Sequence, residues 1–364
     1  MKIAFLVDKT QTLQVISELL ISAARRDHNC TVFSLCSREQ VISPLVACGV
    51  ETDTIECQTL TDRQTLHTAY TEQASQFDAV IGINVMHPSW SGVYTLPSTR
   101  VYGLGYCWNA IYKAEDGPPS GAKILTNTEW ARDFIISQQP ENDGIIFMGS
   151  PWFEFLRRFK RQPRENYIIF MAPHNRFFRY SNFNEIGQQV LGHLRRFCDA
   201  ANLSLILKTR RKFGPQFQDM TVFDGAVYDD QPFDHLILYA NARCVLNFCS
   251  SAVNEAAILN VPSLFLFPDL YRELRKNEPN VHRAMNAIAD RFYSGPIIDG
   301  VHCASINAGD YSPNDLFKKL EGLLTSTPTW DDFEKTFFSG DHSGASDRII
   351  EMIEGDVGEH KTPA

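Results

Sequence analysis

The sequence predicts an α/β protein built from two doubly wound parallel sheets. Three observations predict it. The chain opens strand-helix-strand, the same grammar restarts near residue 165, and the strand runs are too continuously apolar for a sheet with one wet face. Length agrees, because 364 residues exceed one ordinary core and suit two domains of roughly 150 to 200 residues.

The elements follow in order. Residues 2–7 (KIAFLV) form an apolar run suited to a strand buried on both faces. Leu13, Ile16, Leu19, Leu20 and Ala23 then recur at helical spacing, up to a stop at Arg25–Asn29, and Cys30–Leu35 (CTVFSL) reads as the second strand. With a right-handed crossover this start is a Rossmann-like unit. Further strands are predicted at 54–57, 78–83, 100–104, 123–126 and 144–148, and Asn127-Thr128-Glu129 before WARDFII predicts a capped helix. Ser150–Arg164 is basic, carries Pro151 and Pro163, and reads as an inter-domain linker.

The second half is predicted as strand 167–172, helix 184–201, strand 203–208, a short strand 226–228, helix 233–240, strand 244–248, helix 251–259 and strand 263–267. The expected organisation is an N-terminal domain over 1–155, a C-terminal domain over 165–340, and a terminal segment 341–356, with the two domains facing each other across a cleft. The tail after 355 (GDVGEHKTPA) reads as disordered.

Composition narrows the function classes. Hydrophobic content of 44% with 21% charged residues is that of a globular chain, and a net charge of −9 argues against a general nucleic-acid binder, which needs a basic surface. Nine cysteines, an odd number without C-x-x-C spacing and several in apolar runs, argue against a disulfide framework or a zinc site. No stretch approaches the 18 or so apolar residues of a membrane span, and the first residues enter a strand without signal-peptide anatomy. The expectation is a cytoplasmic protein.

The most informative stretch is Asn247–Ala257 (NFCSSAVNEAA). A strand ends, small polar residues turn the chain, and a helix opens. Helix N-termini expose unpaired N–H groups, so such a turn cradles a diphosphate, with Ser250 and Ser251 as hydroxyl donors and Glu255 placed to accept from a ribose diol. The plainer reading makes Ser251 an N-cap and Glu255 a first-turn acid that complements the helix dipole. Lys208, Arg210, Arg211 and Lys212 follow a predicted strand at the sheet end where ligands bind, and suit a leaving diphosphate or simply a solvated loop. His174 and Arg176, after the first strand of the second half, suit phosphate or a structural role. No Asp-x-Asp triad stands at a strand end, so a metal-dependent reaction is disfavoured, although Asp229-Asp230 keeps it open.

The S-S-x-x-x-E turn, followed by Ala-Ala and Val-Pro-Ser-Leu-Phe-Leu, resembles the nucleotide-sugar site of GT-B-type glycosyltransferases. It is similar to that of two relatives, the UDP-N-acetylglucosamine 2-epimerases and the CDP-glycerol glycerophosphotransferases. TNTEWARDF (126–134), MGSPWFEF (148–155) and DHSGASDRIIEMI (341–353) fall in matching order, the last like a terminal helix that crosses back to the N-domain. The departures are Ser251-Ala252 for a glycine pair, Lys208-Thr209-Arg210-Arg211 for a Lys-Pro-His-Pro-like segment, and Ala256 where the epimerases carry a second acid.

The resemblance implies a metal-independent glycosyltransferase without a resident cofactor, moving a sugar from a nucleoside-diphosphate-sugar donor to the hydroxyl of an unknown acceptor. Donor contacts would come from His174, Arg176, Lys208, Arg210, Arg211, Ser250, Ser251 and Glu255. An inverting reaction needs a base, for which the N-terminal half offers Asp8 and His87, followed by Glu115 and Asp116. The aromatic group Trp90, Tyr94, Tyr102, Tyr106, Trp108 and Tyr112 suits an acceptor subsite or a core. Two alternatives stand beside this: an epimerase or polyol-phosphate transferase of the same fold, and a non-catalytic binder of a nucleotide or protein partner. A dehydrogenase is disfavoured, since DKTQTLQ and not a G-x-G-x-x-G loop follows the first strand.

Overall fold

A computed structural model of the chain describes residues 1–83, 100–105, 122–138, 140, 143–159, 165–172, 181–209, 220–228, 233–248, 252–270, 273, 303–325 and 340–361. The chain divides into two compact units, Met1–Phe155 with Phe337–Ala364, and Leu156–Thr336.

The first unit holds seven parallel strands: β1 (Lys2–Val7), β2 (Asn29–Ser34), β3 (Ile55–Thr59), β4 (Ala79–Gly82), β5 (Arg100–Leu104), β6 (Ala122–Thr126) and β7 (Ile145–Phe147). Their order is β3-β2-β1-β4-β5-β6-β7. Ile3 of β1 lies opposite Cys30 on one side and Ala79 on the other, and all of β1 after Lys2 is buried. That is the two-faced burial its apolar run requires. The chain winds outward from β1 to β3 and returns at β4, so the switch point lies between β1 and β4.

Helix α1 (Thr10–Arg25) buries Leu13, Ile16, Leu19, Leu20 and Ala23 completely. Two helices absent from the sequence reading follow. In α2 (Arg38–Ala47), Ser37 and Gln40 form a reciprocal capping box, but Pro44 interrupts the pattern and only Val41, Ile42 and Leu45 are buried. In α3 (Arg63–Gln73), Asp62 and Thr65 form the box, and only Leu66 and Tyr70 are buried. Caps rather than periodicity define both helices. Thr128, whose Oγ1 accepts from the Ala131 N–H at 3.0 Å, caps α4 (Glu129–Gln138) as the sequence predicts.

One expectation is refined and one corrected. The boundary between the two units falls inside Ser150–Arg164, and part of that segment, Pro151–Leu156, forms helix α5 with Trp152, Phe153, Phe155 and Leu156 buried. Ser150 caps it, its Oγ accepting from Phe153 N–H at 3.3 Å, and Pro151 sits where a missing N–H costs nothing. The tail after 355 is helical as far as Lys361. It is the end of α10 (Ala345–Lys361), in which Val357 is buried and Asp356 accepts from Tyr102 Oη at 2.6 Å and Lys123 Nζ at 2.7 Å. Gly355 and Gly358 mask the helical periodicity there, and the buried contacts of Ile349, Ile350 and Ile353 outweigh their roughly 1 kcal/mol cost each.

The second unit repeats the plan with β8 (Tyr167–Met171), β9 (Ser204–Thr209), β10 (Gly225–Tyr228), β11 (Cys244–Asn247), β12 (Ser263–Leu266) and β13 (Cys303–Ile306). All pair parallel in the order β10-β9-β8-β11-β12-β13, so its switch point lies between β8 and β11. Its helices are α6 (Ser181–Ala201), α7 (Asp234–Asn241), α8 (Ala252–Ile258) and α9 (Pro313–Thr325). One core joins Val190, Leu191, Leu194 and Phe197 of α6 to Leu316, Leu320 and Leu323 of α9, over Phe170 and Leu246 of the sheet. Strand β13 and helix α9 fall between Phe267 and the terminal segment, where the sequence predicts no element. Both are α/β units of the predicted class, two Rossmann-like sheets in one chain.

Candidate functional site

In open parallel sheets, ligands bind outside the carboxyl ends of the strands at the switch point. In the second unit that region gathers polar side chains that the core would otherwise exclude. Lys208, near the end of β9, is only 6% exposed, and its carbonyl accepts from the Ala172 N–H at 2.9 Å just past β8. Asn247 closes β11 and is fully buried. Helix α8 then places Asn254 and Glu255 in buried positions within its first turns. The Oδ1 of Asn254 has no hydrogen-bond partner among the described residues, an arrangement native interiors rarely leave unexplained.

Glu255 is met by a residue sequence reading passed over. His235, in the first turn of α7, is buried, and its Nε2 lies 3.7 Å from Glu255 Oε1. The ring stands nearly perpendicular to Tyr239 at 5.5 Å, and the Tyr239 hydroxyl lies 3.5 Å from the sulfur of Met171 at the end of β8. The signal available in the sequence was weak: a histidine on a predicted apolar helix, normally a packing residue.

Aromatic rings fix the strand end from below. Phe248, directly after β11, packs on Phe170 (5.6 Å) and Phe267 (5.8 Å), and Phe267 packs edge-on against Tyr311 (5.8 Å). Phe267 follows β12 with φ +60°, a left-handed conformation that costs a bulky residue of order 1–3 kcal/mol. Its amide donates to Ile306 O at 2.8 Å, which helps hold it there.

In the first unit, Asp8 ends up at the carboxyl side of β1, beside the first switch point. Its buried carboxylate accepts from Thr12 Oγ1 at 2.7 Å and pairs with Arg63 Nη2 at 3.0 Å. Arg63 opens α3 and is half exposed, so a cation stands at this sheet end too. Of the other predicted site residues, His87, His174, Arg176, Arg210, Arg211, Ser250 and Ser251 lie outside the described residues, as does the aromatic group apart from Tyr102. The Tyr102 hydroxyl is engaged with Asp356.

Among the described residues, no group of three or more His, Cys, Asp or Glu side chains could hold a metal ion. No described helix is long and apolar enough to cross a membrane. Cys30, Cys36, Cys48, Cys57, Cys198 and Cys244 are free thiols. Burial pushes the Cys30 and Cys198 thiols up to about 12, which removes them as nucleophiles near neutral pH.

No protein-family model and no curated protein matches the sequence. Solved structures do match over the whole chain. UDP-GlcNAc 2-epimerase from Methanocaldococcus jannaschii, in complex with UDP-GlcNAc and UDP, superposes with a TM-score of 0.60 at 12% identity, covering 98% of this chain and 100% of its own. UDP-N-acetylglucosamine 2-epimerase from Rickettsia bellii gives 0.60 at 14% identity, covering 99% and 97%. The wall teichoic acid polymerase TagF gives 0.63 at 14%, covering 100% and 90%. Identities this low establish a shared fold, the GT-B-like one expected from the sequence.

Proposed function

We propose that this protein is a GT-B enzyme acting on a nucleoside-diphosphate-linked sugar, and that it transfers the sugar to an acceptor hydroxyl without a metal ion. The observation that carries the reading is Glu255, a buried acid in the first turns of the helix that follows β11, at the switch point of the second sheet. The acid has an evident use there as acceptor for a ribose diol. Lys208 lies near the end of β9, two strands from β11 in sheet order, on the strand that pairs with β8. In this reading the ribose lies at Glu255 and the diphosphate toward Lys208, where a cation offsets the charge of the leaving group. His174, Arg176, Arg210, Arg211, Ser250 and Ser251 complete the proposed donor contacts, and Asp8 and His87 are the candidate bases. Arg63 already holds the Asp8 carboxylate, so a basic role for Asp8 requires that pair to loosen in the complex.

Epimerisation is the second reading, favoured by the whole-length match to two UDP-GlcNAc 2-epimerases. Against it, Asn254 and Ala256 flank Glu255, so no second acid adjoins it. Proton NMR on UDP-, GDP-, CDP- and ADP-sugars, each with and without a hydroxyl acceptor, separates the two. Transfer predicts acceptor-dependent release of a nucleoside diphosphate. A new anomeric signal from an intact sugar nucleotide, formed without acceptor, would replace transfer with epimerisation.

A further inference from the structure

The two buried side chains at the end of the second sheet form a dyad with a task of its own. Taking a carboxylate out of water is costly unless it is paired, and the described partner of the Glu255 side chain is His235, 3.7 Å away. Pairing explains a polar residue there, but not one held as rigidly as this ring is. Orientation does. The terminal torsion of a glutamate is broad, so nothing intrinsic to Glu255 fixes the plane of its two oxygens. A vicinal diol donates two hydrogen bonds in one plane, and a carboxylate free to rotate meets that plane only part of the time.

His235 has what a rotational stop needs. Its ring is fixed edge-on by the fully buried Tyr239, and Tyr239 is tied through its hydroxyl to Met171 at the end of β8. Strand end, tyrosine, imidazole and carboxylate thus form one connected series across the switch point. Helices α7 and α8 pack on each other, which keeps the two side chains in reach. We infer that His235 is a positioning residue: the polar Nε2 edge of its ring, 3.7 Å from Glu255 Oε1, attracts that oxygen and sets the carboxylate plane for the ribose diol of the nucleotide. The inference rests on the ribose role proposed for Glu255 above.

The test compares each nucleoside diphosphate (UDP, GDP, CDP, ADP) with its 2′,3′-dideoxy counterpart by calorimetry, on wild type, H235F, H235Q and E255Q. Wild type is expected to prefer the ribose form of one nucleotide by tenfold or more. H235F and E255Q should each lose most of that preference while binding the dideoxy form as wild type does. H235Q, which keeps an N–H donor, should retain at least half of it. An H235F/E255Q double variant should lose no more than either alone, as expected for residues acting as a unit. H235M guards against a folding failure of H235F, with thermal melts as control. Equal weakening of both nucleotide forms in H235F or H235M would reduce His235 to a packing residue and overturn the inference alone. A wild type without preference for the ribose form would overturn the Glu255 role and the inference together.

Discussion

Gly149 shows how a single residue constrains this fold. Its φ of +91° is one that side chains rarely adopt, and a Cβ there would meet Asp341 O and Ala345 Cβ at 2.7 Å. A Gly149→Ala change should therefore cost about 2–4 kcal/mol, read as a lowered midpoint in urea. Glu255→Ala is expected to weaken nucleotide binding about tenfold, the loss of hydrogen bonds to a charged group, while the far-ultraviolet spectrum stays native. At this scale the sequence was partly legible. The buried place of Glu255 in the helix after β11 is legible because a strand, small polar turn residues and an acid one helical turn later form a readable pattern. His235 was not, because its significance lies in a contact between two helices that no spacing encodes. The Arg63 partner of Asp8 was hidden for the same reason, since 55 residues separate the two in the chain.

Elements differ in how openly they announce themselves. Strands buried on both faces were read nearly to the residue, because continuous apolar runs admit few other interpretations. Helices α2 and α3 were missed because their apolar stripes are thin and their defining feature is capping. The two motifs taken from the termini of the first unit prove to be one device. Glu154 of α5 accepts from the Gly344 and Ser346 amides at 3.1 and 2.9 Å, so it caps α10, and Arg348 of α10 donates back to Met148 O. The Ser150 amide donates to His342 Nδ1 at 3.1 Å in the same knot. Glu154→Ala should cost about 1–2 kcal/mol, as other lost caps do, and should raise amide exchange first in residues 344–348. Removing the Asp356 carboxylate strands a buried tyrosine hydroxyl and a lysine, so Asp356→Ala should cost about 1–3 kcal/mol by thermal denaturation.

Acid sensitivity also belongs to the elements. The Arg195 guanidinium and the Leu205 amide hold the Asp224 carboxyl below its usual range and tie α6 to the start of β9. A carboxyl depressed in the folded state stabilises above its unfolded value and loses that contribution as pH falls through the folded one. The stability gap between wild type and Asp224→Asn should thus be full at neutral pH and close below about pH 4. Asp224 is 43% exposed, so solvent screening keeps the ion-pair share to about 1 kcal/mol or less.

At the scale of the molecule, two sheets of different sequence share one winding order, outward over three strands and back across a switch point. That repetition was legible because strand-helix alternation with a right-handed crossover leaves few topologies. What bound chemistry each switch point serves was not legible to the same degree, since one fold carries many reactions. If the second unit carries the nucleotide, amide exchange should slow on nucleotide addition in 204–209 and 244–258.

The most direct test of the central claim is isothermal titration calorimetry of UDP, GDP, CDP and ADP into wild type and Glu255→Ala, without added magnesium. The account predicts that one of the four binds wild type with micromolar affinity and that Glu255→Ala weakens it about tenfold. Binding of none of them, or equal binding to both proteins, would contradict it.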